Sequence, residues 1–192
     1  ISSMGLDQYC REFFYRPLNM QATLFNPGSA VHIAATLGPG RRSLTGVVQD
    51  GNARLLGGVA GHAGLFSTAG DLAKFVRMVM NDGQLQGQRV LTAKTINQMT
   101  ASYYFNNGRI IRGLGWDHES PYSAAKGTLF SEVSFGHTGY SGSSVWVDPE
   151  SDLFVILLTT RLNYDNKRGF NRLRSDIATL AAALFAGHER RL

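Results

Sequence analysis

The run Leu153-Phe154-Val155-Ile156-Leu157-Leu158 is apolar at every position. A strand built from it has no polar face and must be covered on both sides. It follows Ser144-Val145-Trp146-Val147 across Asp148-Pro149-Glu150, where Pro149 takes a turn position it favours. Residues 135–147 and 153–161 are therefore read as an antiparallel hairpin. Downstream, Phe170, Leu173, Ile177, Leu180 and Leu184 recur at spacings of three and four, which predicts a helix with one apolar stripe. That helix is expected to pack on the hairpin and to end at Gly187. It covers one face only. The other face of 153–158 calls for an additional element, and the chain alone is expected to be poorly soluble, oligomeric or dependent on a partner segment.

Upstream, Leu6, Tyr9, Cys10 and Phe13 have helical spacing, with Pro17 at the exit. Residues 21–56 show no sustained period and carry Pro27, Gly28, Pro39 and Gly40, so they read as a long loop across one face. Thr68 can cap a helix, with Asp71 reaching back in a capping box. Leu72, Phe75, Val76 and Val79 form its inner face, and Asn81-Asp82-Gly83 ends it. Thr92 caps a second helix with Ile96 and Met99 inward, and residues 109–116 read as a strand. The pattern is α+β: an antiparallel sheet backed by a C-terminal helix, plus a helical and loop-rich part. Residues 1–192 are read as one domain, with 1–108 mainly helical and loop and 109–192 holding the strands and the terminal helix.

Composition narrows the function classes. At 192 residues, 43% hydrophobic and with 22 glycines, the chain suits one globular, loop-rich domain. The formal net charge is +5. The late basic residues Arg161, Lys167, Arg168, Arg172, Arg174, Arg190 and Arg191 read as a solvated helix face and tail. No basic patch is interleaved with aromatics, so no nucleic-acid partner is expected. The single cysteine, Cys10, excludes an internal disulfide and is assigned to core packing. There is no His-x-His, no His-Glu-x-x-His and no carboxylate at ligand spacing, so neither a metal nor another cofactor is expected. His32, His118 and His188 are read as surface residues.

The chemistry-bearing stretch is Gly136-His137-Thr138-Gly139-Tyr140-Ser141-Gly142-Ser143. Thr138 offers a hydroxyl donor, and His137 a titratable donor that can orient a carboxylate and assist proton transfer. Gly139 lacks a Cβ, so a substrate can approach the backbone, although a simple bulge glycine would look the same. The Tyr140 backbone N–H is a candidate half of an oxyanion hole.

These residues carry a family resemblance. His137-Thr138-Gly139 matches the third motif of the serine β-lactamase and penicillin-binding protein superfamily, written Lys-Thr-Gly or His-Thr-Gly. Residues 57–73, Gly-Gly-Val-Ala-Gly-His-Ala-Gly-Leu-Phe-Ser-Thr-Ala-Gly-Asp-Leu-Ala, look like a landmark of its class C-like branch, which includes D-alanyl-D-alanine carboxypeptidases, esterases and the penicillin-binding protein 4B type. Pro17-Leu18-Asn19-Met20 with Thr23, and Gly113-Leu114-Gly115-Trp116, resemble two further landmarks in the same order.

The resemblance implies the C-terminal portion of the β-lactamase/transpeptidase-like fold. It also implies a serine hydrolase working through an acyl-enzyme on D-alanyl peptides, β-lactams or small esters, with extracytoplasmic location. The Ser-x-x-Lys nucleophile and the Tyr-x-Asn-type motif of such proteins precede the stretch matched here. The missing N-terminal half of the domain is therefore the implied partner, and this chain alone is expected to be inactive. A catalytically dead module that binds peptide or cell-wall fragments is the alternative. In this frame His137 and Thr138 hold substrate, Tyr140 supplies its amide, and His62 either lines the pocket or pins its own loop.

Three stretches imitate motifs. Ser123-Ala124-Ala125-Lys126 spells Ser-x-x-Lys, but Pro121 and Gly127 leave no room for the long helix such a serine opens, and a surface loop is expected. Tyr104-Phe105-Asn106 and Tyr164-Asp165-Asn166 spell Tyr-x-Asn in polar, loop-like surroundings and are read as chance.

Overall fold

The computed structural model of the protein describes residues 2–28, 32–161 and 167–189. The first half contains α1 (Leu6–Cys10), a π-helical stretch Arg11–Tyr15, β1 (Leu24–Phe25), β2 (Thr36–Leu37), a 3-10 turn Pro39–Arg41 and β3 (Ser43–Leu44). It continues with α2 (Gly51–Leu55), β4 (Leu65–Phe66), α3 (Ala69–Met80), β5 (Gln84–Leu85), β6 (Gln88–Arg89) and α4 (Ala93–Thr100). The second half contains β7 (Tyr103–Phe105), β8 (Ile110–Arg112), β9 (Asp117–Glu119), a 3-10 turn Ser123–Lys126, β10 (Phe135–Thr138), β11 (Ser144–Asp148), β12 (Leu153–Leu157) and α5 (Lys167–Glu189).

Strands β7 to β12 form one antiparallel sheet in the order β12-β11-β10-β9-β8-β7. Each pairs with its sequence neighbour, so the sheet is a meander built from local contacts. This is the expected α+β arrangement. Two readings change. Residues 135–147 are not one strand but two, β10 and β11, folded back on each other across residues 139–143. Residues 109–116 are not one strand either: β8 ends at Arg112, and Gly113-Leu114-Gly115-Trp116 loops out before β9, with a register irregularity at Ile111 and Arg112. Glycine pairs favour loops over strands, and both breaks fall at them. Tyr104 and Phe105 lie on the exposed edge strand β7, whereas Tyr164-Asp165-Asn166 lies outside the described residues.

The centre of the sheet is fixed by one contact. The β10–β11 register sets Gly136 opposite Trp146, His137 opposite Val145 and Thr138 opposite Ser144. Trp146 is 1% exposed. A Cβ on Gly136 would stand 2.3 Å from the Trp146 ring, so only glycine lets the indole lie across the neighbouring strand.

Each face of the sheet carries a core. On one face Phe135 and Val147 join Leu18, Met20, Val76, Met78, Val79 and Ile96, with Phe154 and Ile156 packed against them. On the other, Trp146 joins Ala125, Phe130, Ala178 and Ala182, with Leu153 and Val155 packed against them. The alternation along β12 thus feeds both cores. This corrects the expectation that 153–158 lacks a second cover within the chain: α3 and its neighbours supply it. What stays open among the described residues is the outer edge of β12, and its residues are accordingly only half-buried.

Helix α5 turns a different face inward than its leucines predict. The buried row is Phe170, Arg174, Ala178 and Ala182, a spacing of four. Leu180 and Leu184 are 63% and 71% exposed, and Leu173 is exposed too. Small alanines let α5 lie close on the Ser123–Lys126 turn, where a Cβ on Gly127 would meet Thr179 Oγ1 at 2.7 Å. Close approach over the sheet wins over the bulkier stripe. The helix also runs through Gly187 to Glu189.

Other capping expectations stand with one change. Thr68 Oγ1 accepts from the Asp71 amide at 3.2 Å, and Thr92 Oγ1 from the Thr95 amide at 3.1 Å. Asp71 does not reach back to its own cap. It accepts from the Ala22 amide (2.8 Å) and the Thr23 hydroxyl (3.0 Å) and pairs with Lys74 (3.0 Å), tying residues 22–23 to α3. Burial alone would raise the Asp71 carboxyl, but these bonds outweigh it and hold the group below the ordinary range. At α1, Leu6, Tyr9 and Phe13 are exposed and Cys10 is half-buried, so that stripe is not a core face. Within residues 21–56, Asp50 caps the short helix α2 through the Ala53 amide at 2.8 Å.

His118 is buried rather than on the surface. Its ring lies tilted against Phe135, with centroids 6.0 Å apart, and faces the backbone at Thr100 and Ser134. Burial pushes its imidazole below the ordinary value, Lys126 adds to this, and Asp117 opposes it. His32 is exposed, as expected, and the His188 side chain lies outside what is described.

Gly136→Ala drives a methyl into the Trp146 ring and costs about 3 kcal/mol, the upper end for overpacking. That reads as a Tm lower by roughly 6–12 °C, and an unchanged Tm would contradict the contact. For His118, a depressed pKa means that the unfolded chain takes the proton first, so stability falls as pH drops below about 6.5. Between pH 7.5 and 5 the wild type should lose more Tm than His118→Gln; parallel slopes would remove His118 as the cause.

Candidate active site

Strand β10 carries the His-Thr-Gly triplet to the end of the sheet. Alternation sets His137 on the face of Phe135 and Thr138 on the opposite one. His137 is exposed, and its ring makes no hydrogen bond or ion pair with a described residue. Thr138 is half-buried at the last rung. Gly139 opens the turn and is not a bulge: its amide donates to the Ser143 carbonyl at 2.7 Å, and its own carbonyl accepts from Gly142 at 3.2 Å. A Cβ at 139 would meet only ordinary contacts, the nearest at 3.6 Å, so the fold itself leaves room there. Tyr140 is 73% exposed, and its N–H reaches no acceptor among the described residues.

The carbonyls of this turn have donors of their own. Arg174 on α5 donates from Nη2 to Gly139 and to Ser143, each at 2.9 Å, and from Nε to Gly142 at 2.9 Å. The Arg161 amide donates to Ser141 at 2.9 Å, and its guanidinium reaches the Tyr140 carbonyl at 3.4 Å. Thr159 Oγ1 adds a bond to Gly142 at 2.8 Å. Arg174 is 5% exposed, and Phe170 lies under its guanidinium at 4.7 Å. Burial, then the nearby Arg161, lowers the Arg174 guanidinium to about 10, which leaves it charged at neutral pH.

This overturns the reading of the late basic residues as a solvated face. Arg174 is buried and Arg161 half-buried, while Arg172 does face solvent, 3.8 Å from Asp176. The signal that could have found Arg174 is its place in the row Phe170, Arg174, Ala178, Ala182, which competes with the leucine stripe. An arginine in a row of apolar residues at spacing four must be buried with partners.

His62 is placed elsewhere in the network. Its Nε2 lies 3.0 Å from Asp50 Oδ1, the cap of α2. The Ala53 amide and then His62 hold the Asp50 carboxyl below its ordinary range. No described hydrogen bond, ion pair or ring contact joins His62 to His137, Thr138 or Tyr140.

Ser123 is not in a surface loop. It opens a one-turn 3-10 helix and is buried; its hydroxyl donates to the Ser120 carbonyl at 2.8 Å and accepts from the Ser120 amide at 3.1 Å. Lys126 points to the His118 carbonyl at 3.4 Å rather than to Ser123. The turn at 139–143 holds two serines, Ser141 and Ser143, and neither hydroxyl bonds to a histidine, lysine or tyrosine side chain among the described residues. Among the described residues the site therefore offers donors that can receive a carbonyl or carboxylate oxygen, without an activated nucleophile.

Comparison with known proteins finds relatives of this chain. An Escherichia coli (strain K12) protein provisionally named D-alanyl-D-alanine carboxypeptidase is 32% identical over 181 residues, covering 84% of this chain and 41% of that protein. The chain thus spans less than half the length of that relative. A β-lactamase from Mycobacterium bovis shares the fold with a TM-score of 0.65 at 23% identity, over 96% of this chain and 58% of the other. The octameric penicillin-binding protein homologue from Pyrococcus abyssi does so with a TM-score of 0.56 at 19% identity, over 90% and 38%. The described residues contain no helix long and apolar enough to cross a membrane. A family profile described as Beta-lactamase matches residues 1–179, and the chain belongs to that family.

Proposed function

We propose that this chain is the substrate-receiving wall of a serine hydrolase. It would act through an acyl-enzyme on D-alanyl peptides, β-lactams or small esters, with the nucleophile on sequence outside these residues. The observation that carries the reading is the Tyr140 amide, unpaired among the described residues and standing two residues beyond Thr138 at the end of β10. In this role the amide receives the oxyanion of the tetrahedral intermediate. His137 orients the substrate and assists proton transfer. Thr138 donates its hydroxyl, and Gly139 keeps the approach clear. The bond from His62 to Asp50 favours loop pinning over substrate contact for that residue. No cofactor is required by this chemistry.

Further support comes from the surfaces left open. The outer edge of β12 and the exposed Leu173, Leu180 and Leu184 of α5 are what additional polypeptide of the same protein would cover. The name carried by the Escherichia coli relative favours a peptide substrate, and cell-wall peptides place such work outside the cytoplasm. The second reading is a module that binds such fragments without turnover. The residue at the upstream Ser-x-x-Lys position decides between the two.

Intact mass after incubation with a penicillin or a reactive phosphonate tests the proposal. The 192-residue chain alone should show no adduct. Joined to the remainder of its protein, it should show one stoichiometric adduct on a serine outside this chain. An adduct on the isolated chain would overturn the reading, and no adduct in the joined protein would leave the binding module. In the joined protein, Ser123→Ala should react at the wild-type rate and lose about 1 kcal/mol of stability through its broken hydrogen bonds.

A further inference from the structure

The Gly139 carbonyl and the Tyr140 N–H belong to one peptide unit. A trans peptide is planar and directs its C=O and N–H oppositely, and the described backbone has no cis bonds. Arg174 takes the Gly139 carbonyl from the α5 side at 2.9 Å. The Tyr140 N–H must then point away from α5, out of the turn. We infer that Arg174 is a positioning residue: by gripping the carbonyls of Gly139, Gly142 and Ser143, its guanidinium aims the Tyr140 amide at the place where a substrate oxygen is received. The inference rests on the function proposed above and adds a residue from a different element to its machinery.

Three features make arginine suited to the task. The planar fork reaches three carbonyls from one side chain, which an ammonium on a flexible stem does not reproduce. No carboxylate pairs with Arg174 among the described residues, so its buried charge is compensated by these carbonyl dipoles. Positive charge on the carbonyl side of the 139–140 peptide also polarises that unit and makes its N–H a stronger donor. The turn is also held from the residues after β12, where the Thr159 hydroxyl donates to the Gly142 carbonyl at 2.8 Å and the Arg161 amide to the Ser141 carbonyl at 2.9 Å. Phe170 sets the plane of the guanidinium from below.

The test is Arg174→Lys in the full-length protein, with Phe170→Leu as a milder second variant and Arg172→Ala as a control. Hydrogen exchange at Gly139 and Gly142 should speed up about tenfold, while the β11–β12 ladder keeps its protection. Acylation by a penicillin should slow by about 30- to 100-fold, the scale of a small misplacement, with apparent binding changed less than about threefold. Phe170→Leu should show the same pattern more weakly, and Arg172→Ala none of it.

Unchanged exchange at the turn overturns the inference. So does faster exchange with wild-type acylation, and so does loss of protection throughout the sheet. If the wild type is not acylated at all, the proposed function fails separately. The 15N shift of Tyr140 then decides: displaced in Arg174→Lys supports the inference, unmoved overturns it.

Discussion

The indole of Trp146 lying across Gly136 is the constraint on which the rest depends. It fixes the β10–β11 register, and a slip of one residue would exchange the faces of His137 and Thr138. The same contact seats the core under α5, because Trp146 packs with Ala125, Phe130, Ala178 and Ala182. The outward turn at 139–143 is thus built at the end of the strand pair that this contact locks. Rigid strands carrying a short functional turn hold donors more closely than a long loop does.

Buried polar side chains hold the other joints. Asp71 joins residues 22–23 to α3, and Asp148 gathers Ser131, Glu150 and Ser151 at the β11–β12 turn. In both, hydrogen bonds outweigh burial and keep the carboxyl ionised below the ordinary range. Arg174 does the same work with opposite charge at the 139–143 turn. Asp148 and Arg174 are compensated by backbone and hydroxyl groups, and Asp71 by Lys74 together with the Ala22 amide and the Thr23 hydroxyl, so each fixes backbone rather than merely balancing charge.

Much of this was legible in the sequence. The β11–β12 turn, the caps at Thr68 and Thr92 and the α+β class follow from local chemistry, which tertiary contacts did not override. The ordered landmarks from Pro17 to Gly139 pointed to the family. What escaped was decided by packing between elements. The leucine stripe of α5 gives a stronger periodic signal than the Phe170-Arg174-Ala178-Ala182 row, yet small residues allow the closer approach. Arg174 escaped with that row, since its partners are backbone carbonyls in a turn more than thirty residues away. His118 reads as a surface residue in a polar segment and is buried because β9 is an inner strand. Covering both faces of β12 likewise required knowing where α3 lies.

In the proposed function the Tyr140 amide is the receiving donor of an acyl-transfer site completed by other sequence. The most direct test is a structure of the full-length protein with a phosphonate bound to its nucleophile. A phosphoryl oxygen at about 2.7–3.1 Å from the Tyr140 nitrogen, with His137 beside it, is the predicted result. A phosphonate seated away from the 139–143 turn, with that amide facing solvent, would contradict it.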